Sequence, residues 1–159
     1  MSLILIVEDD VDLVETYTDL LEARGHAVAN ASSAAEAIAL ISITPPAVIV
    51  LDLGLPGGSG LRVLEHARSS PLLKNVKIIV VTGHSEMANF GLAEAADVIL
   101  TKPISNSQLR MIVERFVDPI KLAQTPVSAQ EPAQPVLHPS VVVVPTAPLP
   151  LTLSLDTRG

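Results

Sequence analysis

The sequence predicts an open, parallel α/β sheet with helices on both faces. Short apolar runs rich in β-branched residues alternate five times with segments of helical periodicity. The central run, Val48-Ile49-Val50-Leu51, is apolar without alternation, the pattern of a strand covered on both sides. The polar residues with chemistry to offer gather where the runs end: Glu8-Asp9-Asp10, Asp52, Thr82 and Lys102.

Leu3 to Val7 is the first strand, and Glu8-Asp9-Asp10 follows it as an acidic loop. From Val11 to Arg24 the apolar residues Val11, Val14, Tyr17, Leu20 and Leu21 keep a helical spacing, and Gly25 suits a helix stop. His26 to Ala31 is a second, less apolar strand. Ser33-Ala34-Ala35-Glu36 has capping-box spacing and opens a helix that carries Ala34, Ala37, Ile38 and Ile41. Pro45-Pro46 precedes the central strand. Asp52 then stands where a buried strand surfaces, and Gly54, Pro56, Gly57, Gly58 and Gly60 turn the chain without bulk. Ser59 or Gly60 starts a third helix through Leu61, Leu64 and Ala67, with Pro71 behind it. Lys77 to Thr82 is the fourth strand. Ser85 to Ala96 is expected as the fourth helix, with Asn89 and Gly91 lowering its propensity. Asp97 to Lys102 is the fifth strand. Ser105-Asn106-Ser107-Gln108 is another capping-box pattern, ahead of a last helix bearing Leu109, Ile112, Val113 and Phe116.

Composition narrows the function. Of 159 residues, 48% are hydrophobic but 2% aromatic, so Val, Ile, Leu and Ala must build the core. The absence of Cys excludes disulfides, thiolate nucleophiles and thiolate zinc sites. A net charge of −7 disfavours direct nucleic-acid binding, which needs a basic face. Met1-Ser2-Leu3 lacks the basic region of a signal peptide, and no apolar run reaches the ~18 residues of a membrane helix. A cytoplasmic protein without membrane contact is the expectation. From Pro119 onward the composition changes: eight of the thirteen prolines lie in 119–159, with two positive and two negative charges. That stretch reads as a disordered, Pro-rich tail. Pro132-Ala133-Gln134-Pro135 and Pro145-Thr146-Ala147-Pro148 are possible polyproline ligands, and Val141 to Val144 is a β-prone run suited to contact or to aggregation.

Right-handed crossovers put the carboxyl ends of all parallel strands on one edge, where ligands bind in such sheets. Acids from the first and third strands, the Thr82 hydroxyl and the Lys102 ammonium therefore converge. Singly, each has an ordinary explanation: Asp9 or Asp10 suits a helix N-cap, Asp52 a turn, and Lys102 a partner for Asp52. Together they recur at strand ends in four separate segments. Packed carboxylates repel, and a hard divalent cation such as Mg2+ relieves them with oxygen ligands. An Asp can also accept a phosphoryl group as nucleophile. Lys102 then supplies a point charge, Thr82 a hydroxyl, and Gly83 room for close backbone approach.

Val7-Glu8-Asp9-Asp10, Leu51-Asp52-Leu53-Gly54-Leu55-Pro56-Gly57, Val81-Thr82-Gly83 and Leu100-Thr101-Lys102-Pro103 together resemble the receiver domain of two-component response regulators, over residues 1–118. The resemblance implies a flavodoxin-like (CheY-like) doubly wound sheet of five parallel strands in the order 2-1-3-4-5. It implies that Asp52 is the phosphoacceptor, served by a histidine kinase or histidine phosphotransfer protein. Asp9, Asp10, Asp52 and the Gly54 backbone carbonyl would hold Mg2+. Thr82 and Lys102 would bind the phosphoryl group and couple it to the face made by the fourth helix, fifth strand and fifth helix. The signal would pass to a downstream protein not identified by the sequence, from a monomer or a phosphorylation-dependent dimer. The chain would be a stand-alone receiver or part of something longer, with no enzymatic output domain. It differs from the family pattern at Ile99, where an aromatic switch residue is common, at Ile104 after Pro103, and in a short spacer from Thr82 to Lys102. Three other functions compete. An aspartyl-phosphate phosphatase would need a second acid where Gly54 stands. A nucleotide- or flavin-binding protein would need a Gly/Ser/Thr-rich loop where Glu8-Asp9-Asp10 stands. A phosphorylation-independent adaptor on the same fold is favoured by the missing aromatic alone.

Overall fold

Alternation along the strands divides the interior into two cores, one on each face of a single sheet. The structure is a computed structural model that describes residues 1–56, 60–83, 92–118 and 141–143. Its elements are β1 (Leu3–Val7), α1 (Val11–Glu22), β2 (Ala27–Ala31), α2 (Ala34–Ile43), β3 (Val48–Asp52), α3 (Leu61–Ser69), a 3₁₀ turn (Pro71–Leu73), β4 (Lys77–Thr82), α4 (Leu92–Ala95), β5 (Val98–Thr101), α5 (Asn106–Val117) and β6 (Val141–Val143). The sheet order is β2-β1-β3-β4-β5-β6. The first five strands are parallel, as expected, in the order 2-1-3-4-5.

Successive side chains of a strand point to opposite faces. Ile4 and Ile6 of β1, Val48 and Val50 of β3, Ile79 and Val81 of β4, and Val98 and Leu100 of β5 face Tyr17 and Leu21 of α1 and Leu109 and Val113 of α5. Their neighbours Leu5, Val7, Ile49, Leu51, Ile78, Val80 and Ile99 face Ala34, Ala37 and Ile41 of α2 and Val63, Leu64 and Ala67 of α3. Both faces of β3 are covered, and all five of its residues are buried. Burying each of these aliphatic side chains is worth about 1.5–3 kcal/mol. With so few aromatics, the core depends on many such contributions.

Local sequence sets the helix ends. Asp10 caps α1, its carboxylate accepting from the Asp12 and Leu13 amides. Ser33 caps α2, and Ser105 caps α5 by accepting from the Gln108 amide. The Glu36 carboxylate reaches the amide and hydroxyl of Ser32 rather than Ser33, so that box closes one residue earlier than its spacing suggests. Gly25 follows α1 at φ +82°, a conformation that side chains rarely adopt. Gly60 starts α3 against the end of β3: a Cβ there would overlap the Asp52 carbonyl oxygen and lie 2.9 Å from Leu53 Cα. Glycine is therefore needed at position 60 for the chain to turn tightly behind Asp52.

Only Leu92–Ala95 of the expected fourth helix is described; its first part, and the turn at 57–59, lie outside the described residues. The tail, expected to be disordered, contributes β6, which pairs antiparallel to β5. The β-prone valine run already noted in the sequence needs no core of its own, because an existing sheet edge supplies its partner. The rest of 119–159, including both expected polyproline ligands, lies outside the described residues.

One ion-pair cluster ties α3 to the start of β5. The Asp97 carboxylate accepts from Arg68 Nη2 at 2.7 Å, Lys77 Nζ at 3.0 Å and the Ile78 amide at 2.8 Å. Arg68 also donates to the carbonyls of Ala95 and Val76. Burial pushes the Asp97 carboxyl up, but the Ile78 amide and the two cations outweigh it and hold the group below the ordinary carboxylate range. A lowered acid stabilises the fold above its unfolded pKa, and that stabilisation is lost as pH falls through the lowered value. Asp97→Asn should therefore cost about 1–3 kcal/mol at neutral pH by urea denaturation. The gap to wild type should close as pH drops below about 4.

Candidate functional site

The site lies at the carboxyl edge of the sheet, above the point where β1 has β2 on one side and β3 on the other. Parallel register builds it. Ile4 pairs with Val48 and Ile6 with Val50, so the next same-face positions on the two strands are Glu8 and Asp52. Two carboxylates thus emerge side by side from neighbouring strands. Glu8 is 5% exposed and Asp52 8%.

Lys102 comes to them from the end of β5. Its backbone amide donates to the Thr82 carbonyl at 2.8 Å, tying the ends of β4 and β5 together. Its Nζ donates to Glu8 Oε2 at 2.7 Å and to Asp52 Oδ2 at 2.8 Å. The Lys102–Pro103 peptide bond is cis. The other Asp52 oxygen, Oδ1, accepts from the Gly54 amide at 2.8 Å, and Glu8 Oε1 accepts from the Asp10 amide at 3.2 Å. Thr82, one residue beyond the Val81 that pairs with Asp52, ends β4 and is buried.

The electrostatics follow. Burial pushes the Glu8 carboxyl above its ordinary value; the Asp52 charge adds to this, against the bonds from Lys102 and the Asp10 amide. Burial alone would draw the Lys102 ammonium down, but its bonds to Asp52 and Glu8 outweigh it and raise it. Lys102 is therefore a fixed cation between two anions.

Carboxylate oxygens of Glu8, Asp9 and Asp52 all lie within 4.8 Å of one another. Three hard oxygen donors at this separation fit a small divalent cation such as Mg2+. This set differs from the expected one. Asp10, expected as a ligand, instead spends its carboxylate on the α1 amides, the capping role already open to it in the sequence. Glu8, not expected as a ligand, stands in the cluster with Asp9 and Asp52 instead. The signal was present in the strand alternation, since Glu8 continues the face of Ile4 and Ile6. Reading it required the β1–β3 register, because a slip of one residue moves every side chain to the other face. Asp9 and Asp52 belong to the cluster as expected, while Gly54 touches Asp52 through its amide. Ile99, at the position of the family's aromatic, is 5% exposed and packs in the α2–α3 core.

The comparisons agree with this architecture. A family model described as "Response regulator receiver domain" matches residues 4–114. The acid tolerance regulatory protein ActR of Rhizobium meliloti is 33% identical over 129 residues, covering 79% of this chain and 66% of that protein. The phosphate regulon transcriptional regulatory protein PhoB of Escherichia coli is 32% identical over 108 residues, covering 67% of this chain and 47% of that protein. The chain thus spans about half to two thirds of the length of these relatives. Among solved structures, a CheY-like response regulator receiver domain from Methylobacillus flagellatus is 30% identical with a TM-score of 0.67, covering 73% of this chain and 98% of that one. A Francisella response regulator receiver domain is 26% identical with the same TM-score of 0.67, covering 75% and 98%.

The ion-pair geometry makes a stability prediction. Lys102→Met would leave Glu8 and Asp52 buried without their cation, costing about 1–3 kcal/mol at neutral pH. The deficit should shrink in acid, because an acid raised in the folded state contributes stability below its unfolded pKa and loses it as pH rises. Urea denaturation of both proteins at pH 7 and pH 4.5 measures this.

Proposed function

This chain belongs to the response regulator receiver domain family of two-component signalling, and from that premise we propose that it accepts a phosphoryl group on Asp52 with the help of Mg2+. The observation that carries this reading is the Lys102 ammonium bonded at once to Glu8 and Asp52, with Asp9 beside them. Asp52 is the nucleophile: one carboxylate oxygen attacks phosphorus, and the donor's leaving group departs from the opposite side. Glu8, Asp9 and Asp52 would hold the cation, joined by the Gly54 carbonyl in the family pattern; bound there, Mg2+ offsets charge on the phosphoryl oxygens. Lys102 can pass from the Asp52 carboxylate to a phosphoryl oxygen without leaving the site. Thr82 supplies a hydroxyl from the adjacent strand end.

The phosphoryl donor is a histidine kinase or a histidine phosphotransfer protein. The consequence is a changed surface around α4, β5 and α5 that a downstream protein reads. Turnover of added phosphomonoesters is disfavoured, because the position two residues after Asp52 is Gly54, which offers no general acid. Direct DNA binding is disfavoured by the acidic charge of −7. Among the described residues no helix is long and apolar enough to cross a membrane. The reading places the protein in the cytoplasm. A phosphorylation-independent adaptor is the second reading, favoured by Ile99 being packed in the core where the family's aromatic would move.

Acetyl phosphate with Mg2+ should label wild type and not Asp52→Asn, as followed by intact-protein mass; undiminished labelling of the variant refutes Asp52 as acceptor. Mg2+ should raise wild-type stability by mass action, about 1.4 kcal/mol at ten times its Kd. Asp9→Asn should lose that response in thermal unfolding. Asp10→Asn should keep it, because Asn caps a helix nearly as well as Asp.

A further inference from the structure

The outer edge of β5 is where the described fold departs from five parallel strands. Val98 pairs with Val143, Ile99 with Val142 and Leu100 with Val141, all antiparallel. An uncovered edge strand presents unpaired N–H and C=O groups that recruit other strands. β5 would be such an edge, and its residues Val98, Ile99 and Leu100 are wholly apolar. The pairing segment comes from the same chain, beyond 22 residues that separate Asp118 from Val141.

We propose that this edge is a strand-docking site, closed in cis by Val141–Val143 and open to the same segment of a second copy when the cis strand leaves. Three observations support it. First, the segment is a run of four valines bounded by Pro139 and Pro145. β-branched residues favour the extended form, while prolines stop the strand from lengthening, so it docks as a short unit. Second, the tether has the reach. The 22 residues between Asp118 and Val141 could reach roughly 70 Å if fully extended, several times the length of the 12-residue α5, about 18 Å. Third, the docked strand is only three residues long. Its few ladder hydrogen bonds, each worth about 0.5–1.5 kcal/mol, stand against an ordering cost of about 1–2 kcal/mol per residue. Docking is therefore reversible, and a tether that supplies a millimolar effective concentration decides for the cis strand at ordinary protein concentrations. The inference rests on strand pairing and is independent of the chemistry at Asp52.

The test uses the full chain and two variants that remove backbone donors from the docking strand, Val142→Pro and the pair Val141→Pro/Val143→Pro. Between them they interrupt the ladder whichever residues donate. A synthetic peptide of residues 138–146 is titrated to millimolar concentration into each isotope-labelled protein. Shifts of the Val98 to Thr101 amides report binding, and the remaining amide spectrum confirms that the fold persists. The variants should bind the peptide roughly tenfold more tightly than wild type, whose site is already filled. Without peptide, their β5 amides should exchange faster with solvent. Equal binding by all three proteins would overturn cis closure, and binding by none would overturn the docking site.

Discussion

One ammonium group between two buried carboxylates organises the functional edge of this protein. Lys102 Nζ lies 2.7 Å from Glu8 and 2.8 Å from Asp52, and the three residues come from β5, β1 and β3 or their immediate ends. The strands are far apart in sequence, so the cluster forms only when the parallel sheet does. Much else in the fold can be understood as what this contact requires. The β1–β3 register sets Glu8 beside Asp52. The bond from the Lys102 amide to the Thr82 carbonyl fixes where β5 ends. Gly60 lets the chain turn tightly behind Asp52.

The cluster also carries unbalanced charge. Two buried anions and one cation leave a net negative site, and burial already raises Glu8 toward the neutral form. A divalent cation would relieve that imbalance, and a phosphoryl group would then offer Lys102 new acceptors. Under the proposed function each change at Asp52 would redirect Lys102, which directly follows β5 in the chain. That strand carries Ile99 into one core and Val98 and Leu100 into the other, and its outer edge holds β6. In this architecture a charge event at one end of β5 is adjacent to both cores and to a docking edge.

Most of the fold was legible in the sequence because the strands are apolar and short and the helices keep a clear period. β1, β3 and β4 begin where the runs begin, and Ser33 and Ser105 cap the helices they were expected to cap. Asp52 and Lys102 were legible as partners for the same reason, since a strand end is a definite place in a parallel sheet. Glu8 was not, because three consecutive acids look alike until pairing decides which way each points. Asp10 then proved to serve the helix rather than the cluster. Val141 to Val144 was legible as a β-prone contact segment, but its partner was not, because a strand that borrows an existing edge carries no sequence mark of which edge it takes.

The central claim is that Glu8, Asp9, Asp52 and Lys102 form one site for a metal-assisted phosphoryl group. Its most direct test is a crystal structure of the protein grown with Mg2+ and beryllofluoride, a mimic of the phosphoryl group. The account predicts beryllium bonded to an Asp52 oxygen, Mg2+ among Glu8, Asp9 and Asp52, and Lys102 Nζ moved onto a fluorine. Beryllofluoride bound elsewhere, or an unmodified Asp52 with Lys102 still on both carboxylates, would contradict it.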